Sequence, residues 1–493
     1  MKKCIIFFLL NIFMLTSLTS CFEDEGNYDY DEIFDITVTG INSSYESFSL
    51  VDSLKISPVI EPQAEQYEYF WGVYKDAPGY KIDTICHTRT LNMFVELQPD
   101  TYKLLFGAKE KKSGIQKLIT TELKVSTALS KGWYVLRSQN GSTDLDLFTP
   151  KGKITNVIAM NNEGVNLPGK AAFLNHSMSY FGFDSSRDRY VPTNTVFALS
   201  DGGMVAMRLH NGKIMRDFNT IFYSAPKTAR PQVILTKWSD LFLLNANKAY
   251  SIYGMVPGSG RFGEAKTGDN YSLSDYVAGH QFTDPIFFDE NSSSFCTADS
   301  YGGNLIYFKD SQTDCSSNNM GIDLLFMQSG ANKDWAIART KEKGKLQLLE
   351  LNPKAAQRPY KDLITACTEL KTSSLLGKAD NWATNQSNNI IYHANGNKIY
   401  SCNIDADLSE QLEYTLSADE KVTYMRNLSF KNSKEPSSNF NVLAVATVKG
   451  NQYKVYLFDI QAGSLVGEPE ILVGEGEVGA IIYIDNTNSS KIY

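Results

Sequence analysis

The 493 residues include only 7 cysteines, 15 prolines and 5 histidines. So few cysteines exclude a disulfide-stapled miniprotein, and none of them sits in a CxxC pair or at zinc-like spacing. His87, His176, His210, His280 and His393 are scattered, with no common ligand spacing. Bases are outnumbered 55 to 47, for a net charge of −8, and a nucleic-acid partner is excluded because it needs a basic face. Beyond the first 20 residues no stretch nears the roughly 18 apolar residues of a spanning helix. What is present is 42% hydrophobic and 12% aromatic, with 27 Tyr and 27 Phe. That balance excludes disorder and collagen-like repeats and leans toward β-structure.

The amino terminus reads as an address. Lys2 and Lys3 precede an apolar run from Ile5 to Leu15, interrupted only by Asn11, and Leu18-Thr19-Ser20-Cys21 closes it. This is the layout of a secretory leader over residues 1–20. Its ending resembles a bacterial lipobox, in which the Cys21 thiol is acylated and becomes the mature N-terminus. Residues 21–32 then hold six acids and no base, a self-repelling tether. Within it, Glu23, Asp24 and Glu25 resemble the surface-export signal of lipoproteins in some Gram-negative gut anaerobes. The expected location is the outer membrane, facing outward, with the lipid anchor as the only membrane attachment. Export permits disulfides. We expect mostly buried free thiols among Cys86, Cys296, Cys315, Cys367 and Cys402, with Cys296–Cys315 the local pair to check.

Residues 33–128 alternate as short strands between turns. Trp71 lies mid-strand in Tyr67–Tyr74, and Tyr102 follows the Pro99-Asp100 turn. These features predict an immunoglobulin/PKD-like β-sandwich, with both rings in its core or at its corner. From Gly132 a hairpin recurs, each with an apolar strand, a Gly/Asn/Asp turn and an alternating return. The seven first strands begin at Trp133, Val196, Leu241, Ser294, Trp335, Ile390 and Val442, a mean spacing of about 51 residues. Residues 131–493 are therefore expected to form an all-β propeller of seven blades, with six or eight still open because the first interval is the longest. Ala480–Ile484 is expected to add a strand to the first blade, closing the ring.

The order resembles the PKD-like lipoproteins that accompany starch-utilisation-type (SusC/SusD-like) outer-membrane nutrient importers. The likeness rests on Leu18 to Cys21, the acidic Glu23 to Tyr30, the Pro99-Asp100-Thr101-Tyr102 turn, and Lys131-Gly132-Trp133-Tyr134-Val135-Leu136. It implies a cell-surface accessory to such an importer and its lid-like lipoprotein, among other accessory lipoproteins, and it offers no catalytic residue and no cofactor.

Local motifs add little chemistry. Gly258–Gly263 and Gly474–Gly479 match GxGxxG, yet neither is followed by the helix a dinucleotide site needs, so both read as turns. Asp144-Leu145-Asp146-Leu147 reads as an amphipathic strand, and Asp405–Glu410 lacks the glycine and distal Glu of a calcium loop. Two polar stretches remain as candidate ligand contacts: Trp382 in Ala379–Ser387, and Arg187, Arg189 and Tyr190 in Asp184–Tyr190. The expected function is non-catalytic capture of an oligosaccharide or peptide, or docking on the importer. The alternative is a propeller hydrolase or lyase acting on glycans.

Overall fold

A computed structural model describes residues 36–49, 52–62, 66–76, 79–184, 188–256, 258–311, 315–432 and 436–485. The leader, Cys21, Glu23, Asp24, Glu25 and Arg187 lie outside the described residues. The chain is all-β, and its one described α-helix is the short Val157–Asn161. It divides into two compact units, the first taking residues up to 47, 51–95 and 101–124, the second 48–50, 96–100 and everything from 125.

The first unit is built on a five-stranded sheet. Its order is Ser44–Phe48, Gln116–Ser126, Asp100–Glu110, Tyr67–Tyr74 and Asp83–Cys86, and two strand pairs accompany it. Trp71 is fully buried with its ring 4.8 Å from that of Phe106, and its Nε1 donates to the Arg89 carbonyl at 3.1 Å. Tyr102 is buried as well. Both aromatics thus serve the core, as their placement in the sequence led us to expect.

The second unit contains seven antiparallel sheets in succession. The inner strands of blades 2, 3, 5, 6 and 7 are Ala171–Asp184, Pro231–Lys237, Ile322–Ser329, Asn381–Thr384 and Lys421–Phe430. In blade 4 the channel is lined by residues 275–277 and 279–281, from a stretch joined by isolated bridges to Ile286–Asp289. Blade 1 takes its inner strand from far downstream: Glu477–Asp485 pairs antiparallel with Lys131–Gln139. Each predicted hairpin is the second and third strand of one blade. The first turns at Asn140-Gly141, both at positive φ (52° and 77°), the geometry for which Asn-Gly is best suited.

Strands flanked by sheets on both faces must be apolar on both faces, and all six residues of Asp240–Asn245 are buried. The side chains meet in seven clusters, one per blade junction. Leu136 and Leu145 pack with Leu174 and Val196, Phe197 with Ile234 and Leu243, and Phe242 with Phe287 and Cys296. Phe295 packs with Ala336 and Leu349, Ile337 with Ile391 and Cys402, and Tyr392 with Leu443. Val455 and Ala444 finally meet Val135 and Ile481 of blade 1. The ring is therefore closed and seven-bladed, which resolves the six-to-eight range left open by the sequence.

Two expectations need correction. The disulfide joins Cys315 to Cys367, not to Cys296. Cys296 faces the sealed junction of blades 3 and 4, where no partner thiol reaches it, and burial raises its pKa well above the ordinary thiol value. Asp144 and Asp146 are buried rather than on a solvated strand face. Asp144 accepts the backbone N–H groups of Ile158 (2.8 Å) and Ala159 (3.2 Å). Asp146 pairs with Lys153 at 2.9 Å and accepts the Tyr453 hydroxyl at 2.7 Å. A carboxylate can enter such a core only when its lone pairs are occupied in this way.

Candidate functional site: the channel of the ring

Inner strands of neighbouring blades leave a central channel with a cavity at each end. Early residues of these strands line one cavity of about 390 Å³, including Phe173, Gln232, Phe326, Gln328 and Trp382. Later residues line the other, of about 370 Å³, including His176, His280, Gln281, Gln386 and Asn427. Phe173, Tyr424 and Arg426 belong to both and so occupy the middle of the channel.

At the first mouth, Arg230 Nη2 holds both Asp275 oxygens at 3.0 Å, and Gln232 donates to the same carboxylate. Asp201 accepts the Lys170 N–H at 2.7 Å, and Asp380 accepts the Gly396 N–H at 3.3 Å. Each acid on this rim is thus held by a cation or an amide.

At the second mouth the lining is amide-rich, and its amides are fixed by bonds to a neighbouring blade or within their own. Asn175 Nδ2 donates to the Ile234 carbonyl at 3.0 Å, Gln386 Nε2 to the Ser329 carbonyl at 2.8 Å, and Asn427 Nδ2 to the Val442 carbonyl at 2.9 Å. His176 bonds Asn194 through Nε2, and burial holds its pKa down at about 4, so the ring is neutral at pH 7. His280 Nε2 lies 2.6 Å from Asp334 Oδ1. Burial raises the Asp334 carboxyl, His280 opposes that shift, and Asp334 Oδ2 has no hydrogen-bond partner.

Of the described residues predicted to touch ligand (Trp382, Arg189 and Tyr190), only Trp382 reaches the channel. It lies on the inner strand of blade 6, not in a polar loop, and is half-buried. Its Nε1 donates to the Leu376 carbonyl at 2.8 Å and its ring lies 5.7 Å from that of Phe326, so one side plugs the blade while the residue lines the first mouth. Arg189 and Tyr190 are at the outer tip of the first hairpin of blade 2, paired with Asp184 and Phe183, and line neither cavity. Arg216 donates to the Tyr190 hydroxyl at 3.2 Å. Both GxGxxG strings are non-helical, and Gly476 sits at the turn into the closing strand.

The channel residues escaped the sequence reading because they come from seven segments far apart in the chain. A polar residue interrupting an otherwise apolar inner strand, as at Asn175-His176 and Asn427, was the available signal.

Comparison with known proteins supplies one family. The PKD-like family matches residues 21–171. No curated protein sequence matches the chain. Among solved structures, a quinonprotein alcohol dehydrogenase-like protein from Bacteroides thetaiotaomicron is 11% identical, covering 90% of this chain and 97% of its own, with a TM-score of 0.39. Dihydro-heme d1 dehydrogenase NirN is 7% identical over 73% of this chain and 76% of its own, with a TM-score of 0.37. A DUF4784 family protein from Bacteroides caccae is 10% identical over 88% of this chain and 95% of its own, with a TM-score of 0.28. Similarity this distant carries no function across, and the fold assignment rests on the sheets and their junctions.

Proposed function

We propose that this protein is a lipid-anchored accessory of the outer cell surface that binds an oligosaccharide in the channel of its ring, without catalysis, for an outer-membrane importer. The observation carrying the reading is the lining of the channel: Phe173, Tyr424, Tyr483 and Trp382 alternate with amide side chains. A sugar ring presents apolar C–H faces edged by hydroxyls, so aromatic rings beside fixed amides meet both parts of it. The membrane and importer parts of the proposal rest on the lipobox-like Leu18–Cys21, the acidic Glu23–Glu25 and the match to the PKD-like family.

Affinity electrophoresis through gels of laminarin, xylan, pullulan, arabinan and pectic galactan tests the binding. Retardation in at least one gel is expected, with Tyr424→Ala losing at least tenfold in affinity. Retardation in none overturns the reading, and release of shortened oligosaccharides on incubation would turn it toward the hydrolase. Purification of the native complex from membranes, with the co-purifying proteins identified, tests the importer. Absence of a TonB-dependent porin would remove that part.

A further inference from the structure

Blades 3 and 4 have three described strands each, and residues 253–256 and 258–285 between them are irregular apart from isolated bridges. Loops on a rigid scaffold are where recognition concentrates. This stretch ends on His280-Gln281-Phe282, whose first two residues line the second mouth of the channel. Beside it is the two-residue turn Trp238-Ser239, which joins the first two strands of blade 3. Trp238 and Phe282 are 61% and 60% exposed, with ring centroids 5.4 Å apart and planes tilted by 53°.

Three features set this pair apart from stray surface apolarity. Trp238 has φ of +53°, a left-handed conformation suited to Asn or Gly and poorly suited to a bulky side chain. Such an outlier on an exposed turn points toward function. The backbone beneath both rings is fixed: Trp238 N–H donates to the Gln281 carbonyl at 3.0 Å, and Gln357 Nε2 to the Phe282 carbonyl at 3.1 Å. The flanking Lys237 and Asp284 pair at 2.6 Å, and Tyr360 donates to Asp284 at 3.0 Å. The rings are therefore held ready, with little order left to impose on binding.

We infer that Trp238 and Phe282 form an outer subsite that receives the part of an oligosaccharide extending beyond the second mouth. This rests on the channel-binding reading and adds that the ligand is a chain several sugars long. Polar and charged groups (Ser239, Gln281, Gln357 and the Lys237–Asp284 pair) surround the rings, so the occupant must combine apolar faces with a hydroxyl-rich edge. A purely apolar peptide or protein face would strip water from those groups and offer no hydrogen bond in its place.

Trp238→Asn and Phe282→Ala separate the inference from simple damage. Calorimetric titration of the full chain would use gluco-, xylo- and malto-oligosaccharides of two to seven residues. In the series that binds, affinity for the wild type is expected to rise at least tenfold from the shortest to the longest sugar. Trp238→Asn is expected to flatten that rise while matching or exceeding the wild-type melting temperature, since Asn suits the left-handed turn. Binding with an unchanged length dependence in both variants overturns the outer subsite while leaving the channel reading intact. Binding that Tyr424→Ala does not weaken, but Trp238→Asn abolishes, overturns the channel reading and the subsite as its extension. No binding by the wild type to any of these, or to arabino- and galacto-oligosaccharides, removes both.

Discussion

His176 is a buried ring: burial disfavours its charged form, against which the hydrogen bond to the Asn194 amide is a smaller influence. Its folded pKa of about 4 lies below the ordinary histidine value, so the unfolded chain takes up the proton first as pH falls. Its contribution is fully present above about pH 6.5 and is lost down to about pH 4, amounting to about 2 kcal/mol at pH 5. Denaturant melts at pH 7.5 and pH 5.0 should show His176→Asn losing less stability than the wild type over that interval. Parallel losses would mean that the ring is protonated in the folded state. A second expectation concerns Tyr392, whose hydroxyl donates to the Gly463 carbonyl and accepts from Asn385, each at 2.8 Å. Tyr392→Phe leaves both partners unmet in a sealed junction, and urea titration should register a loss of about 1–3 kcal/mol. Residues like these are where the sequence was hardest to read. Trp382 looked like a loop residue because Asp380, Asn381 and Asn385 surround it, whereas Asp380 and Asn385 bond to the hairpin of their own blade and Asn381 to the inner strand of blade 7.

At the scale of the element, the closing strand Glu477–Asp485 has the most depending on it. Tyr483 lies 5.0 Å from Trp133, 4.9 Å from Phe440 and 5.1 Å from Phe430, so one ring joins the strand to blades 1 and 7. Tyr483→Ala should cost about 3 kcal/mol by cavity formation, measured as a lower denaturation midpoint with little change in slope. Removing everything from Glu477 should do more, exposing the edge of Lys131–Gln139, and size-exclusion chromatography should show aggregates rather than a monomer. The blade hairpins were legible because each carries its own local signal: two-sided apolar strands around a Gly, Asn or Asp turn. Blades 3 and 4 were less so, since each has only three regular strands among the described residues and the inner stretch of blade 4 pairs through isolated bridges that leave no alternating pattern. The Cys315–Cys367 link was hidden for a related reason, as 52 residues separate its ends and only the folding of blade 5 brings them together.

For the whole molecule, the division into two units predicts separable labour. Expressed from residue 125 onward, the ring should keep the oligosaccharide affinity of the full chain, while residues 33–124 alone should show none. Affinity retained by the first unit alone would overturn a binding role centred on the ring. In cells, Cys21→Ala should move the protein from the membrane fraction to the soluble fraction, and retention after a carbonate wash would refute the proposed anchor. Ring closure also bears on how the protein is made. The strand that completes blade 1 emerges more than three hundred residues after its partner Lys131–Gln139. Bringing ends so far apart together costs about 5 kcal/mol of chain entropy, recovered only when the last junction packs. Until that junction packs, blade 1 carries a bare edge, and a chain cut short of Glu477 has no strand with which to cover it.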